Sequence, residues 1–267
     1  MCRLIVLDVD GTLLNSEGMV SPENILAIQE ARAKGVRVVL GTGRSAPEAA
    51  YFTALTGCDS RAVCLGGAAI ADMKTMGHLE RWDMAPDTGV EALKIVQSAP
   101  LARMIFAGEV NLMDPDSNHY FEANYPFDCF HNHKIVTEDV ISYLSEHRLP
   151  ITKFYSVGAP EQFPPLLERL RAMPDLDLTS SSSDNFEVLS KGVNKGRALA
   201  VLARMWDIPI EETAAIGDSG NDLAMLEAAG YPVAMGNAGR EIKEAARYVT
   251  DTNDRDGVAK AIRHLIG

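Results

Sequence analysis

Three short apolar runs in this chain each break off into a cluster of glycine and polar residues, and no other feature narrows the fold as far. Arg3-Leu4-Ile5-Val6-Leu7 runs into Asp8-Val9-Asp10-Gly11-Thr12. Val36 to Leu40 runs into Gly41-Thr42-Gly43-Arg44, and Thr213 to Ile216 into Gly217-Asp218-Ser219-Gly220-Asn221-Asp222. Continuous apolar runs of this length are expected of strands buried on both faces. Helix signals separate them. Ser21 is placed to cap a helix with Pro22 at its first position, Ile25, Ile28 and Ala31 share one side, and Gly35 ends it. A second helix is expected from about Pro47 to Leu55, then a third strand, Ala62 to Leu65, ending in Gly66-Gly67. Strand–helix–strand–helix–strand is the pattern of a parallel sheet with right-handed crossovers.

The alternation changes near residue 84. A helical segment, Asp87 to Gln97, precedes two strand-like runs, Met104–Ala107 and Val110–Met113, with Gly108-Glu109 between them as a hairpin turn. An irregular stretch to His133 follows. A helix near 138–147, a strand at 152–157, a helix at 162–173 and strands near 176–179 and 186–189 complete an α+β pattern with an antiparallel sheet. From Asn194 the buried alternation resumes and runs to a last helix at 258–266. The organisation this predicts is a split α/β core, residues 1–83 and 191–267, interrupted by an insert at 84–190. Each part is long enough to bury its own core.

Composition removes several classes of function. The net charge of −12 argues against nucleic acid as a partner, because binding a phosphate backbone depends on a basic surface. It leaves room for a small phosphorylated ligand if a cation supplies local positive charge. No run of about 18 apolar residues exists, so no membrane helix is expected. The apolar run at the N-terminus is too short for a secretory leader and has no small-residue cleavage site. Cys2, Cys58, Cys64 and Cys129 form no CxxC pair, and the reading is a reduced, cytoplasmic protein with thiols as small apolar fillers.

In an open parallel sheet, ligands bind beyond the carboxyl ends of the strands. All three polar clusters fall there. Asp8 and Asp10 lie two apart on an extended segment, so both carboxylates face one side, and Gly11 lets the chain turn away. Such a pair repels itself unless a hard cation lies between. Mg²⁺ takes one or two carboxylates and leaves positions for phosphate oxygens. Asp218 and Asp222 add acidic groups at a neighbouring strand end. Thr42, between two glycines, offers a hydroxyl and an N–H, and Lys195 offers a point charge. A lysine at a helix start is disfavoured by the helix dipole, which points to a use other than stabilising that helix.

The segments DVDGTLL, GTGR, NKG and GDSGNDLAML, in that order, resemble the four motifs of the haloacid dehalogenase-like phosphatases, and of their Cof-like branch in particular. In that branch a large cap lies between the second and third motifs, where this chain has its insert. The fold the resemblance implies is α/β, a Rossmann-like parallel-sheet core carrying an inserted α+β cap that sets substrate specificity. It implies Asp8 as the nucleophile that forms an aspartyl-phosphate, and Asp10 as general acid and base. It implies Mg²⁺ held by Asp8, the Asp10 main-chain carbonyl and Asp218, and phosphoryl oxygens bound by Thr42, Gly43 and Lys195. Asn221 contacts the phosphoryl group or orients Lys195, and Asp222 orders a metal-bound water or Lys195. The implied activity is hydrolysis of small phosphorylated metabolites, sugar phosphates first, by a monomer or small homo-oligomer. Phosphoryl transfer to a second substrate, or sensing of a phosphorylated ligand without catalysis, are the rival readings on the same scaffold.

Several residues keep plainer alternatives. For Thr42 the plainer alternative is capping the following turn, and for Asp222 placing a charge at a helix start. Arg44 faces either substrate or solvent. Where this branch often has Asn-Gly-Ala after the third strand, this chain has Gly66-Gly67-Ala68, so a polar substrate contact from that turn is in doubt. His119, His131 and His133 suggest either a metal site or surface and substrate contacts. Tyr120, Phe121, Tyr125, Phe127 and Phe130 read as core packing of the insert, with a substrate wall as the alternative. Met73, Met76 and Met84 read as gap fillers.

Overall fold

A computed structural model describes residues 2–125 and 127–267. Met1, which begins the segment tested above for a leader, and Pro126, inside the stretch expected to be irregular, lie outside them. The first segment contains β1 (Leu4–Leu7), α1 (Pro22–Ala33), β2 (Arg37–Leu40), α2 (Ala46–Thr56), β3 (Arg61–Cys64), β4 (Ala69–Asp72) and β5 (His78–Arg81). Then come α3 (Pro86–Gln97), β6 (Ala102–Ala107), β7 (Val110–Met113), α4 (Pro115–Asn124), α5 (Asp128–His131), β8 (Lys134–Val136), α6 (Val140–Glu146), β9 (Ile151–Val157), α7 (Phe163–Arg171), β10 (Leu176–Thr179) and β11 (Asn185–Ser190). The last segment holds α8 (Lys195–Met205), β12 (Thr213–Gly217), α9 (Leu223–Ala228), β13 (Tyr231–Ala234), α10 (Arg240–Ala245), β14 (Tyr248–Val249) and α11 (Gly257–Ile266). The chain divides into two compact units, residues up to 80 with 194–267, and residues 81–193.

The first unit is built on a parallel sheet in the order β14-β13-β12-β1-β2. β1 lies between β12 and β2, and its four residues are fully buried, as its unbroken apolar run requires. Ser21 caps α1 by accepting the N–H of Asn24, and Pro22 occupies the first turn. α1 packs on α11, and α8 on α9. The third expected strand departs from the simple parallel pattern. β3 touches the β2 side through one parallel bridge, Gly41 to Val63, and forms a separate sheet with β4 and β5. That hairpin was not anticipated, because His78-Leu79-Glu80-Arg81 alternates but is largely solvent-facing. Met76 corrects the gap-filler reading: it is an exposed residue at φ +60° between β4 and β5, whereas Met73 and Met84 are buried.

The second unit is a six-stranded sheet, β10-β11-β9-β6-β7-β8. The β6–β7 hairpin pairs Ile105 with Leu112 and Phe106 with Asn111. The expectation of a wholly antiparallel sheet needs one correction. β8 pairs parallel to β7, because α4 and α5 carry the chain back across the segment expected to be irregular. One face buries Leu93, Val96, Ile105, Phe154, Leu166 and Leu170 with the helices α3 and α7. The aromatics form a packed group. Phe121 and Phe130 are buried 5.5 Å apart, and Phe121 meets Tyr155 of β9 at 6.3 Å. An unforeseen ion pair, Lys153 Nζ to Glu187 Oε1 at 2.8 Å, joins β9 to β11 with both side chains almost fully buried.

Among the described residues, no helix is long and apolar enough to cross a membrane. All four cysteines are free. Burial pushes the Cys58 thiol up to about 12 and the Cys64 thiol further still, so both are unreactive fillers at neutral pH.

Candidate active site

Parallel pairing puts the ends of β1, β2 and β12 on one rim. Leu7 is in register with Leu40 on one side and Ile216 on the other. Asp8 therefore emerges beside Gly41-Thr42 and Gly217-Asp218. Its N–H donates to the Ile216 carbonyl at 3.0 Å, and the Gly41 N–H donates to the Leu7 carbonyl at 2.8 Å. Gly11, at φ +80°, then turns the chain within a conformation that a side chain disfavours. A Cβ on Gly11 would lie 2.5 Å from an Asp218 carboxylate oxygen, so the turn is glycine for proximity as well.

Carboxylate oxygens of Asp8, Asp218 and Asp222 all lie within 4.8 Å of one another. Lys195, the first residue of α8, is fully buried among them. Its Nζ donates to Asp8 Oδ1 at 2.6 Å and to Asp222 Oδ1 at 2.6 Å, and it lies 3.4 Å from Asn221 Oδ1. Asp222 uses its other oxygen to accept the N–H groups of Asp218 and Ser219, at 3.0 and 3.1 Å. Asp222 thus braces both the lysine and the loop that carries Asp218. Asp218 Oδ1 accepts the Thr12 hydroxyl at 2.7 Å.

Three carboxylates around one ammonium leave excess negative charge. Burial, reinforced by the charges of Asp222, Asp218 and Asp10, pushes the Asp8 carboxyl well above its usual range despite Lys195. Burial together with Asp222 and Asp10 pushes Asp218 up to about 6, against the Thr12 hydrogen bond and Lys195. Burial alone would lower the Lys195 pKa, but Asp222 and Asp8 outweigh it and keep the group an ammonium. Surplus carboxylate charge in a hard-oxygen cluster fits a divalent cation, and of the three acids Asp8 and Asp218 carry the fewer donor contacts.

Asp10 stands apart from this group. Its carboxylate is held in a fork by Arg44, Nη2 to Oδ1 at 2.7 Å and Nε to Oδ2 at 3.0 Å. Arg44 is itself buried and donates to Glu48 Oε1 at 3.0 Å. Arg44 therefore faces two carboxylates, the half-exposed Asp10 and the buried Glu48. A signal for this was present, because Ser45 and Glu48 form a capping box at the start of α2 and Arg44 lies four residues before Glu48.

Thr42 is fully buried, and its Oγ1 accepts the Arg44 N–H at 3.1 Å. Gly43 follows in the same turn. The Gly66-Gly67 turn links this segment to the lysine: Gly66 N–H donates to the Thr42 carbonyl at 2.9 Å, and Gly67 lies against the backbone of Asn194. The histidines do not gather. His119 and His133 are exposed, and His131 Nε2 contacts the Tyr125 carbonyl at 2.6 Å. Among the described residues, Asp8, Asp218 and Asp222 make the one such acidic cluster compact enough for a metal ion.

Comparison with known proteins agrees with this geometry. The haloacid dehalogenase-like hydrolase family matches residues 5–262. Phosphatase YwpJ of Bacillus subtilis is 35% identical, over 99% of this chain and 100% of its own. The 5-amino-6-(5-phospho-D-ribitylamino)uracil phosphatase YcsE of the same organism is 35% identical, over 99% of this chain and 96% of its own. A solved structure of a haloacid dehalogenase-like hydrolase from B. subtilis superposes with a TM-score of 0.87 at 31% identity, covering 98% of this chain and 99% of that one.

Proposed function

The chain is an enzyme of the haloacid dehalogenase-like hydrolase family, in its Cof-like branch, and we propose that it is a Mg²⁺-dependent phosphatase of small phosphate monoesters, sugar and sugar-alcohol phosphates first among them. The observation that carries this reading is Lys195 bonded to Asp8 at 2.6 Å with Asp218 and Asp222 beside them. It unites a nucleophile, a phosphoryl-binding cation and a metal-ligand set on one strand rim.

In the proposed reaction an Asp8 oxygen attacks phosphorus and the ester P–O bond breaks. Asp10, once protonated and turned out of the Arg44 fork, protonates the departing oxygen. Asp10 then takes a proton from water as that water attacks the aspartyl-phosphate. The bond between phosphorus and Asp8 breaks, and the carboxylate is restored. Lys195, Thr42, Gly43 and Asn221 hold the phosphoryl oxygens, where preset donors offset developing charge. Asp222 keeps Lys195 charged and in place. Asp8, Asp218 and the Asp10 main-chain carbonyl would hold Mg²⁺, which supplies the positive charge that lets an anionic substrate approach an acidic nucleophile.

The insert, 84–190 by sequence pattern, is assigned the choice of leaving group. The relative YcsE is named for a phosphoribityl substrate, which supports a phosphorylated polyol as the ligand class here. The test is phosphate release from a panel of sugar, sugar-alcohol and pyridoxal phosphates, with Mg²⁺ and with chelator. Release that requires Mg²⁺ and favours the polyol phosphates is expected. A folded protein that binds these esters without releasing phosphate would overturn the reading in favour of a sensor.

A further inference from the structure

The catalytic rim uses the carboxyl ends of β1, β2 and β12. The amino ends of β1 and β2, with the start of β3 beside them, carry a second feature that chemistry at Asp8 does not use. Arg3 immediately precedes β1, Arg37 begins β2, and Asp59 stands just before β3. They line a cavity of about 370 Å³ together with Arg32 of α1 and Trp206 at the end of α8. That volume falls within the usual range of small-ligand pockets, roughly 300–1,000 Å³.

The lining is organised around one carboxylate. Asp59 accepts the Val38 N–H at 3.0 Å, which fixes it to the sheet edge. Its two oxygens then draw Arg32 Nε and Arg37 Nη1, each at 3.3 Å. One carboxylate is thus shared by two guanidiniums, so the pairing orients both while balancing the charge of only one. Arg37 is further held over the Trp206 ring, its guanidinium carbon 4.4 Å from the centroid, and Arg61 lies 5.1 Å from the same ring. Stacking secures a guanidinium by its face, while its N–H donors lie in its plane. Arg3 closes the set, paired with Glu212 at 2.9 Å. Three lining arginines against two carboxylates, Asp59 and Glu212, leave one positive charge in excess in a protein of net charge −12. Gathering like charges in a concave, partly desolvated site is unfavourable unless an anion relieves it.

We propose that this cavity is a second binding site, for a small polyanion of the di- or triphosphate class whose successive phosphate groups are shared among Arg3, Arg32 and Arg37. A phosphate group displaces only a few water volumes of about 30 Å³ each, so the cavity has room for a short chain of them. Arg3 is five strand steps of about 3.3 Å from Asp8, roughly 16 Å, so polyanion and substrate bind without touching.

The test is isothermal titration of the full chain with inorganic tripolyphosphate in metal-free buffer. Saturable one-to-one binding is expected, weakened at least about tenfold by Arg37→Gln and by Arg3→Gln. Asp8→Asn leaves it within about twofold, and rising salt weakens it. Both arginine side chains are about half exposed, so neither substitution unfolds the protein, and circular dichroism checks this. Absence of saturable binding overturns the proposal. So does binding that survives both arginine substitutions or shifts with Asp8→Asn, which would place the ligand at the catalytic rim. Citrate that binds as tightly as tripolyphosphate would overturn the phosphate class.

Discussion

Lys195 Nζ and Asp8 Oδ1 lie 2.6 Å apart, with the lysine fully buried, although 187 residues separate them in the chain. The pair holds the two halves of the core together at the candidate site. Removing one partner of a buried pair leaves the other charge without compensation, which costs about 3–5 kcal/mol. Lys195→Met is therefore expected to lower unfolding free energy by about that much, because both Asp8 and Asp222 lose their cation. Adding Asp8→Asn should recover part of the loss. Urea unfolding of the two single variants and the double variant measures this coupling; strictly additive effects would contradict it.

Asp218 makes stability depend on pH in a defined direction. Its carboxyl is raised from an ordinary value of 3.8 to about 6 in the fold. The folded state then holds this proton more tightly than the unfolded state does. The group contributes nothing below about pH 4, and stability falls as pH rises from there through about 6. Asp218→Asn removes that penalty. In metal-free buffer the variant should match wild type near pH 4 and exceed it by about 1–3 kcal/mol at pH 7. With Mg²⁺ present the order should reverse, because the wild-type carboxylate then has a cation to bind. Thermal or urea unfolding across that range checks both signs.

Gly67 adopts φ +101°, and a Cβ there would lie 2.2 Å from the Asn194 carbonyl and 2.5 Å from the Lys195 nitrogen. Asn194 caps α8 by accepting the Arg197 N–H, so any shift moves the origin of Lys195. Gly67→Ala is expected to cost about 2–4 kcal/mol of stability, from the left-handed conformation and the overlap together. Turnover should fall more than about tenfold, because a small misplacement of Lys195, the proposed phosphoryl-binding group, is amplified in rate. Gly192, at φ +73° with open space around it, is the control: Gly192→Ala should show only the backbone effect.

How much was readable in advance follows from what each feature depends on. Asp8, Thr42, Lys195 and Asp218 sit at strand ends or at a helix start, and parallel strands share a rim, so local pattern sufficed to assemble them. The contact of Arg44 with Glu48 has a local signal in the i,i+4 spacing, but its contact with Asp10 depends on the path of a four-residue turn, about which strand periodicity carries no information. Lys153 and Glu187 pair across β9 and β11 on a diagonal, which only the register reveals. β8 was lost for a similar reason: its short run, Lys134–Val136, joins β7 only after two helices reverse the chain.

The most direct measurement is phosphate release by Asp8→Asn beside wild type, on the best ester of the panel, with Mg²⁺ saturating and folding confirmed by circular dichroism. The amide cannot attack phosphorus, so turnover should fall on the order of a thousandfold or more, with unfolding stability unchanged or raised because Lys195 keeps Asp222 and a buried carboxylate crowded by others is removed. A folded variant that retains turnover within about tenfold of wild type would remove Asp8 from the reaction and contradict the account.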